Sequence, residues 1–235
     1  MELQLPQHVG IICDGNRRFA RTLGDEAAKG HEYGADKIED VLDWCHEIGI
    51  KTLTLWLFST ENFNRSPEEL KGLFRIAEKT AHKFADDKRT HENKIKLGFI
   101  GDIEKFPDHV KNALSYALEK TKGYDNFHFN VAVGYGGKHE IINAVKKVAQ
   151  LVKEGKLNPE DITKEVFELQ MYSANVPEVD LVIRTSGEQR TSGFMLWKTD
   201  YAEYYFTEKY WPEFEKEDFI NALVSYSERK RRFGK

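Results

Sequence analysis

Short apolar runs alternate along this chain with longer segments of helical periodicity, and this alternation restricts the fold more than any other feature. Each run suits one short strand, most of them buried. The runs are HVGIIC, KTLTLWLF, KIKLGFI, FHFNVAVGY, DLVIRT and EYYF. They predict strands at 8–13, 51–58, 94–100, 127–135, 180–185 and 203–206.

Amphipathic helices are predicted between these strands. Gly49 follows one helical segment as a natural C-terminal stop. Another segment starts with Ser66 as the N-cap and Pro67 at the first helical position, and Glu69 is placed to close a capping box. The predicted helices span 31–48, 67 to the late 80s, 107–121, a segment that begins at the glycine pair 136–137, and about 216–232.

Strands that alternate with helices are typical of α/β proteins in which helices cover both faces of a parallel sheet. No linker, internal repeat or low-complexity segment interrupts the pattern. We therefore predict a single domain over residues 1–235, with a mostly parallel six-stranded sheet flanked by helices.

Composition limits the partners of this chain. Its 35 Lys and Arg against 39 Asp and Glu give a net charge of −4, which argues against a nucleic-acid partner. Cys13 and Cys45 are predicted to be buried thiols rather than a disulfide or a metal pair. The start MELQLPQ has no signal-peptide pattern, and no apolar window is long enough to span a membrane. A cytoplasmic location is expected, with contact to a membrane surface left open.

Polar residues follow the predicted strands where each strand ends. In parallel sheets the carboxyl ends of the strands share one rim, and ligands bind there. A rim rich in Asp, Asn, Ser, Gly and Arg suits phosphate and a divalent cation. The segments concerned are Asp14–Asn16, Ser59–Asn62, Gly101–Asp102, Tyr135–Gly137 and Arg184–Gly187.

The segment DGNRRFAR, residues 14–21, combines one carboxylate with three arginines. Gly15 and Asn16 allow a sharp turn that points N–H groups at an anion. The guanidinium groups match phosphate oxygens, and Asp14 suits a hard cation such as Mg²⁺. An ordinary Asp-Gly-Asn turn before a solvated basic helix would look the same, so both interpretations stand at this point.

Two further segments carry polar groups of the same kind. RTSGEQRTSGF, residues 184–194, has two arginines six residues apart and two Ser-Gly pairs, although such pairs are also common in plain loops. FSTENFNR, residues 58–65, offers Asn62 and Arg65, with a capped loop as the simpler interpretation. His31 draws attention only because it is close in sequence to the arginine turn.

Several common catalytic motifs are missing from the sequence. HxxxH and HExxH do not occur, which disfavours a zinc site. GxxxxGK[ST] and GxGxxG are missing too, so nucleotides lack their usual phosphate cradles. The GxSxG elbow of serine hydrolases is also absent.

Six segments together resemble the cis-prenyltransferase family, whose best-known members are the undecaprenyl diphosphate synthases. The resemblance runs from His8 to Gly234 and keeps the order and spacing of the family. The segments are HVGIICDGNRRFAR, TLWLFSTENFNR, IGD, GYGGKHEI, DLVIRTSGEQRTSGFMLWKTDYAEYYF and YWPEF.

The resemblance implies an activity, a cofactor and partners. Family members elongate an allylic diphosphate with isopentenyl diphosphate, form a cis double bond at each step and require Mg²⁺. Most are dimers, so a homodimer is expected. The growing hydrocarbon needs an apolar tunnel, which we expect between the sheet and helix 67–88. The expected wall residues are Trp56, Leu57, Phe58 and Leu73, for which plain core packing is the alternative.

The resemblance also implies roles for single residues. Asp14 would bind Mg²⁺ and assist departure of the allylic diphosphate, Asn62 would lie near the reacting carbons, and Glu203 would add a carboxylate at the metal, from its own chain or across the dimer. The expected allylic diphosphate site comprises Gly15, Asn16, Arg17, Arg18, His31 and Arg65. The expected isopentenyl diphosphate site comprises Arg184, Arg190 and Ser192, with Arg232 and Gly234 reaching it from the partner subunit.

Departures from the family pattern keep some alternatives open. Leu57 stands where long-chain synthases have a small residue, which predicts a product shorter than undecaprenyl. Ala27 and Gly193 replace an arginine and an asparagine of the bacterial pattern, which leaves a different acceptor or irregular coupling possible. A non-catalytic scaffold subunit and a phosphatase are the remaining alternatives, and the first is disfavoured by Asp14 and the phosphate arginines.

Overall fold

Six strands form one sheet within residues 3–229, which are the residues that the computed structural model describes. The strands are β1 (His8–Ile12), β2 (Thr52–Ser59), β3 (Ile95–Ile100), β4 (Phe127–Tyr135), β5 (Leu181–Arg184) and β6 (Glu203–Phe206). Their order is β3-β4-β2-β1-β5-β6, and each neighbouring pair runs parallel. The α/β prediction is confirmed, and the described sheet is parallel throughout rather than mostly so.

Helices connect the strands and cover both faces of the sheet. Their bounds are α1 (Asn16–Thr22), α2 (Lys29–Ile48), α3 (Pro67–Asp86), α4 (Lys88–Glu92), α5 (Asp108–Thr121), α6 (Gly137–Lys153), α7 (Lys164–Glu168) and α8 (Lys216–Glu228). The five long helices match the sequence prediction, except that α8 ends at Glu228 rather than at about 232, because Arg229 has extended backbone. The short helices α1, α4 and α7 were not predicted, because five to seven residues show too little periodicity. Across residues 3–229, no helix combines the length and apolarity needed to cross a bilayer.

Local signals place the long helices as the sequence suggests, with one difference. Gly49 ends α2 in the left-handed conformation, with φ 93°. Ser66 Oγ caps α3 by accepting the Glu69 N–H at 3.3 Å, and Pro67 is its first residue. The Glu69 carboxylate does not close the predicted capping box, because it binds Arg65 instead at 2.9 Å.

Alternating strand residues divide the core into two apolar layers. Val9 and Ile11 of β1 face the layer beneath α2, α3, α5 and α8, whereas Ile12 faces the opposite layer. Cys45 is fully buried in the first layer, and Cys13 is half-buried beside it. Both are free thiols, and the predicted burial is complete for Cys45 but only partial for Cys13.

A bulge in β2 breaks this alternation after Trp56, and the side chains of this strand correct one sequence prediction. Trp56 pairs with Ala132 and Phe58 with the next residue, Val133, so Leu57 is an extra residue in the ladder. Leu57 and Phe58 therefore both face the α3 side, while Trp56 faces the other layer and stacks on Phe194 at 5.7 Å. The prediction that Trp56 lines an apolar cavity beneath α3 is wrong.

A buried histidine makes the stability of this fold depend on pH. His8 is fully buried, with Nδ1 donating to the Pro177 carbonyl at 3.0 Å and Nε2 accepting from Thr54 Oγ1 at 2.8 Å. Burial lowers the pKa of His8 from 6.5 to about 4, the nearby Lys198 lowers it further, and Asp180 opposes the shift.

The unfolded chain therefore binds a proton at His8 between pH 6.5 and 4, whereas the folded chain does not. The contribution of His8 to the free energy of unfolding has its full value above pH 6.5. On acidification toward pH 4 it should fall by up to about 1.4 kcal/mol per pH unit. Urea unfolding across this range should show a shallower pH dependence in His8→Gln than in the wild type. His46→Gln, on the exposed face of α2, is the matched control. Identical slopes for His8→Gln and the wild type would contradict the assignment.

Candidate active site

A polar pocket of about 530 Å³ opens at the carboxyl ends of β1, β2 and β5. The chain leaves β1 toward β2 and later returns to form β5 on the other side of β1, which makes this edge a topological switch point. Its polar lining residues are Asp14, Asn16, Arg17, Arg18, Arg21, His31, Ser59, Asn62, Arg65, Arg184 and Ser192. Five arginines thus surround a single lining carboxylate.

Two arginines from distant segments hold the Asp14 carboxylate. Arg18 Nη2 lies 3.3 Å from Asp14 Oδ1, and Arg184 Nη2 lies 2.9 Å from Oδ2. Burial opposes ionisation of Asp14, but Arg184 and Arg18, helped by Ser186, outweigh it and lower the pKa of Asp14 below its usual value. The carboxylate is therefore ionised at neutral pH, and its side chain remains 31% exposed to the pocket.

The backbone around Asp14 is held by contacts from the far end of the chain. The Thr185 hydroxyl accepts from the Asp14 N–H at 2.9 Å and donates to the Asp14 carbonyl at 2.7 Å. Gly15 has φ 104°, and a Cβ there would lie 2.6 Å from the Tyr210 ring. Asn16 then begins α1, and its buried Oδ1 has no hydrogen-bond partner. Only glycine fits position 15, in agreement with the predicted sharp turn.

A second basic cluster lies on the α3 side of the pocket. Arg65 Nη1 donates to Glu69 Oε1 at 2.9 Å and to His31 Nε2 at 3.2 Å. Burial and the charge of Arg65 lower the pKa of His31 to about 4, so the ring is neutral and carries its proton on Nδ1. Arg17 Nη1 lies 3.9 Å from the same Glu69 carboxylate. Asn62 also lines the pocket, and its Oδ1 accepts the Ser59 N–H at 3.0 Å.

On the β5 side, the pocket contains Arg184 and Ser192 but not the guanidinium of Arg190. Arg184 is only 4% exposed, and its Nη1 donates to Ser192 Oγ at 2.8 Å and to the Arg190 carbonyl at 2.5 Å. The Arg190 side chain is 59% exposed and pairs with Glu188 outside the pocket lining. Arg190 thus supports Arg184 through its backbone in this structure.

Glu203 does not join Asp14 within one chain, contrary to one form of the sequence prediction. It is the first residue of β6 and pairs in register with Leu181, at the opposite end of the strands from Asp14. Its carboxylate lies 2.7 Å from Arg229. Because the parallel strands separate Glu203 from Asp14 within one chain, only the prediction that Glu203 acts across a dimer is left. Arg232 and Gly234 lie outside the described residues.

Two predicted rim segments lie outside the pocket. Asp102 follows β3 but pairs with Lys105 and His139, each at 3.2 Å. Gly136 and Gly137 begin α6, and the Gly137 N–H donates to the Gly193 carbonyl at 2.9 Å. The pocket forms around β1, where the switch point lies, rather than along the whole rim.

An apolar cavity of about 110 Å³ adjoins the polar pocket beneath α3. Asn16, His31, Leu57 and Phe58 line both spaces, so these side chains form the boundary between the polar pocket and the apolar cavity. Leu73 lines the cavity farther along α3, whereas Trp56 lines only the polar pocket. A ligand with a charged head and a hydrocarbon tail would find matching surroundings for both ends.

The donor set at Asp14 fits Mg²⁺ in one specific mode. Among residues 3–229, no group of three or more His, Cys, Asp or Glu side chains could hold a metal ion. Mg²⁺ commonly needs only one or two carboxylates, because water and substrate phosphates complete its coordination. The Asp14 carboxylate is ionised and partly open to the pocket. The site therefore fits a metal ion that arrives with phosphate ligands of its own.

Sequence reasoning missed residues that hold the site together. Ser186 belongs to one of the two Ser-Gly pairs, which do not indicate its bond to Arg18, and Glu188 pairs with Arg18 at 3.3 Å. Glu69 was assigned to a cap, and its position four residues after Arg65 was the available signal. Tyr210, whose ring centroid lies 5.5 Å from the Arg18 guanidinium, belongs to the YWPEF segment of the resemblance, which implies no role for this residue.

Comparison with known proteins points to one family. Residues 12–234 match the family described as "Putative undecaprenyl diphosphate synthase". A tritrans,polycis-undecaprenyl-diphosphate synthase (geranylgeranyl-diphosphate specific) from Thermoplasma volcanium is 46% identical, over 98% of this chain and 89% of that protein. An isoprenyl transferase from Thermus thermophilus is 45% identical, over 98% of this chain and 89% of its own length.

The fold of this chain is similar to that of a solved structure over nearly the whole length of both chains. The crystal structure of lavandulyl diphosphate synthase from Lavandula x intermedia, in complex with dimethylallyl diphosphate, superposes with a TM-score of 0.91. The two chains are 36% identical, and the match covers 98% of this chain and 99% of the other. The family match and these whole-length similarities show that this chain belongs to the cis-prenyltransferase family, the family of the undecaprenyl diphosphate synthases.

Proposed function

We propose that this protein is a cis-prenyltransferase that condenses isopentenyl diphosphate with an allylic diphosphate to give a Z-polyprenyl diphosphate, with Mg²⁺ as cofactor. The observation that carries the proposal is Asp14, clamped between Arg18 and Arg184 where a cationic pocket opens into an apolar cavity. A diphosphate group needs the cationic pocket, and a prenyl chain needs the apolar cavity.

The α1 side of the pocket is the proposed site of the allylic diphosphate. Gly15, Asn16, Arg17, Arg18 and Arg65 line it together with His31. Asn16 and His31 also border the apolar cavity, so a diphosphate on this side has its hydrocarbon tail next to the cavity mouth. Neutral His31 adds a hydrogen-bond donor at Nδ1 without adding charge.

The β5 side is the proposed site of isopentenyl diphosphate. Arg184 and Ser192 line it, and Arg190 would join them by turning its exposed guanidinium away from Glu188. Arg184 is preorganised by Ser192 and Asp14, so its charge needs little rearrangement when a diphosphate binds.

The proposed chemistry follows from this arrangement of charge. The allylic C1–O bond breaks, and its electron pair leaves with the diphosphate, which gains negative charge beside Arg17, Arg18 and Arg65. The electrons of the isopentenyl double bond then form the new bond to C1 of the allylic substrate. A proton leaves C2 of the isopentenyl unit and is taken by Asp14 or by the released diphosphate. Asn62 lies in the pocket near the proposed meeting point of the carbons. Asp14 would hold Mg²⁺, which supplies electrophilic neutralisation of the leaving diphosphate.

A different acceptor is the second candidate function. The support for it is the TM-score of 0.91 to a lavandulyl diphosphate synthase that was solved with dimethylallyl diphosphate. Ala27 and Gly193 are the two departures from the bacterial pattern that leave this alternative open. In this reading the same clamp ionises the allylic diphosphate, and a second prenyl diphosphate takes the acceptor side.

Incubation of the purified protein with labelled isopentenyl diphosphate, Mg²⁺ and allylic primers of increasing length tests the proposal. The primer panel should include geranylgeranyl diphosphate, because the Thermoplasma volcanium relative is named as specific for it. A ladder of products that stops at a defined length is the expected result. Products from dimethylallyl diphosphate alone would favour the second candidate, and no product with any primer would favour a scaffold subunit.

Leu57→Ala should lengthen the product by one or more five-carbon units. Leu57 lines both the polar pocket and the apolar cavity, so its isobutyl group narrows the passage between them. Removing three carbons widens that passage without altering the charged groups. Chromatographic sizing of the products measures the change, with Leu118→Ala, on an exposed part of α5, as the matched control. An unchanged length distribution would show that Leu57 does not limit the product.

We also propose a homodimer in the cytoplasm, with peripheral membrane contact through the apolar product. One observation supports the dimer. Glu203 lies at the opposite end of the strands from its own Asp14, so it would need a second copy of the chain to act at the metal. Light scattering of the purified protein tests the dimer, and a vesicle sedimentation assay with and without product tests the membrane contact.

A further inference from the structure

Two serines in this site hold a backbone conformation that suits glycine. Ser186 has φ 83° and Ser192 has φ 50°, in the left-handed region that costs most L-residues free energy. Each serine binds one of the two arginines that clamp Asp14. Ser192 Oγ accepts from Arg184 at 2.8 Å, and Ser186 Oγ accepts from Arg18 at 2.6 Å. Two strained serines beside one pair of arginines indicate that the serine side chains have a role at Asp14.

Ser186 makes the more extensive contacts of the two. Arg18 Nη2, which Ser186 Oγ binds, also lies 3.3 Å from Asp14 Oδ1, so the serine, the arginine and the carboxylate form one chain of contacts, and Ser186 helps to lower the pKa of Asp14. The Ser186 carbonyl accepts a second, longer bond from Arg18 at 3.4 Å. The residue is only 6% exposed, and water therefore has little room to replace its hydroxyl.

Neighbouring backbone contacts hold Ser186 in its strained conformation. Its N–H donates to the Lys209 carbonyl at 2.6 Å, and the next N–H, of Gly187, donates to the Thr207 carbonyl at 2.8 Å. These bonds tie the loop after β5 to the segment after β6. The left-handed turn is thus imposed by the tertiary structure, and glycine would satisfy it at lower cost. The hydroxyl is what serine adds.

We propose that Ser186 is a positioning residue that orients the Arg18 guanidinium and the Asp14 carboxylate for diphosphate binding. The proposal deepens the proposed function and rests on it for the identity of the substrate. Arg18 has several rotatable bonds, and fixing its fork before the ligand arrives removes an entropic cost from binding. Backbone strain at Ser186 is the cost of placing a hydroxyl at this point.

Two substitutions separate the hydroxyl from the backbone strain. Ser186→Ala removes the hydroxyl and keeps a Cβ in the left-handed conformation, whereas Ser186→Gly removes the hydroxyl and relieves the strain. The melting temperature of Ser186→Gly should exceed that of Ser186→Ala by about 2–4 °C. Calorimetric affinity for inorganic pyrophosphate should weaken about tenfold in both variants, and kcat/KM for the allylic substrate should fall about tenfold in both.

The two readouts discriminate a positioning role from a structural one. If Ser186 only shapes the loop, Ser186→Gly keeps the wild-type affinity for pyrophosphate, and affinity follows the melting temperature. That outcome, or wild-type affinity in both variants, would overturn the proposal. Pyrophosphate binding does not depend on turnover, so a wild type that binds it without making product would refute the proposed function and leave this inference standing. No saturable pyrophosphate binding by the wild type would overturn both.

Lys94→Gly is the matched control for relief of strain. Lys94 has φ 52° and lies between α4 and β3, exposed and away from the pocket lining. Its substitution by glycine relieves a left-handed residue without touching the Asp14 clamp. Pyrophosphate affinity and kcat/KM should stay at the wild-type values. A tenfold loss of pyrophosphate affinity in Lys94→Gly would show that relief of backbone strain alone disturbs binding. The loss in the Ser186 variants could then not be assigned to the hydroxyl, and the proposal would be overturned.

Discussion

Asp14→Asn should reduce turnover by about a thousandfold while leaving the chain folded. The amide has nearly the same shape as the carboxylate, so the backbone bonds to Thr185 are kept. Its negative charge is lost, and with it the acceptor that organises Arg18 and Arg184 and the ligand for Mg²⁺. The charge that develops on the leaving diphosphate would then meet a disordered set of cations. Single-turnover kinetics with an allylic primer and isopentenyl diphosphate measure this loss.

Asp102→Asn provides the matched control for the loss of one carboxylate at the same edge of the sheet. Asp102 follows β3, pairs with Lys105 and His139, and lies outside the pocket lining. Its substitution should leave turnover within about twofold of the wild type, since it removes charge without touching the clamp. Turnover of Asp14→Asn within tenfold of the wild type would refute the central role assigned to Asp14.

Arg184→Met should lower both turnover and stability. Arg184 is 4% exposed and binds Asp14, Ser192 and the Arg190 carbonyl, so its removal leaves one carboxylate oxygen and two neutral acceptors without a donor. Because Asp14 is partly open to water, we expect a loss of about 2 kcal/mol in the free energy of unfolding rather than the larger cost of a fully buried ion. Turnover should fall at least a hundredfold, measured beside urea unfolding.

A double-mutant cycle tests whether this stability loss comes from the Arg184–Asp14 pair. The double variant Asp14→Asn, Arg184→Met should lose less free energy of unfolding than the sum of the losses in the two single variants. The reason is that the double variant contains no unpaired carboxylate. Arg184→Lys keeps the charge and should recover part of the stability but little turnover, since lysine lacks the planar fork. Strict additivity of the two single changes would show that the pair does not contribute to stability.

Local signals in the sequence were sufficient for the framework of the fold. Apolar runs located all six strands to within one or two residues, and Gly49, Ser66 and Pro67 marked ends of α2 and α3. These features depend on neighbours in the chain, such as an unsatisfied N–H at a helix start or a left-handed residue at a helix end. They can be found without knowledge of the tertiary structure.

The direction of β2 side chains could not be found in this way. Strict alternation from Leu55 puts Leu57 on the α3 face and Trp56 and Phe58 on the other, and the bulge brings Phe58 to the α3 face as well. A bulge arises from the register with β4, which is a contact between residues more than seventy positions apart. The direction of Phe58 is therefore a property of the sheet, whereas Trp56 keeps the ordinary alternation of the strand.

The sequence by itself determined which groups are available at the end of each strand. Asp14 after β1, Asn62 after β2 and Arg184 at the end of β5 follow from the apolar runs alone, and the resemblance to a family adds their expected roles. Parallel strands necessarily bring such residues to one edge, which is why a phosphate and cation site could be predicted.

Only the tertiary structure decided how these groups are paired. It joined Asp14 to Arg184 across 170 positions, diverted Glu69 from its cap to Arg65, and held Ser186 in a strained turn beside Arg18. Each of these contacts depends on strand order and on side-chain direction, which short-range patterns do not contain. The sequence thus determined the chemistry available to this protein, and the packing around the switch point decided which charges meet, because pairing energy depends on distances that only the folded chain sets.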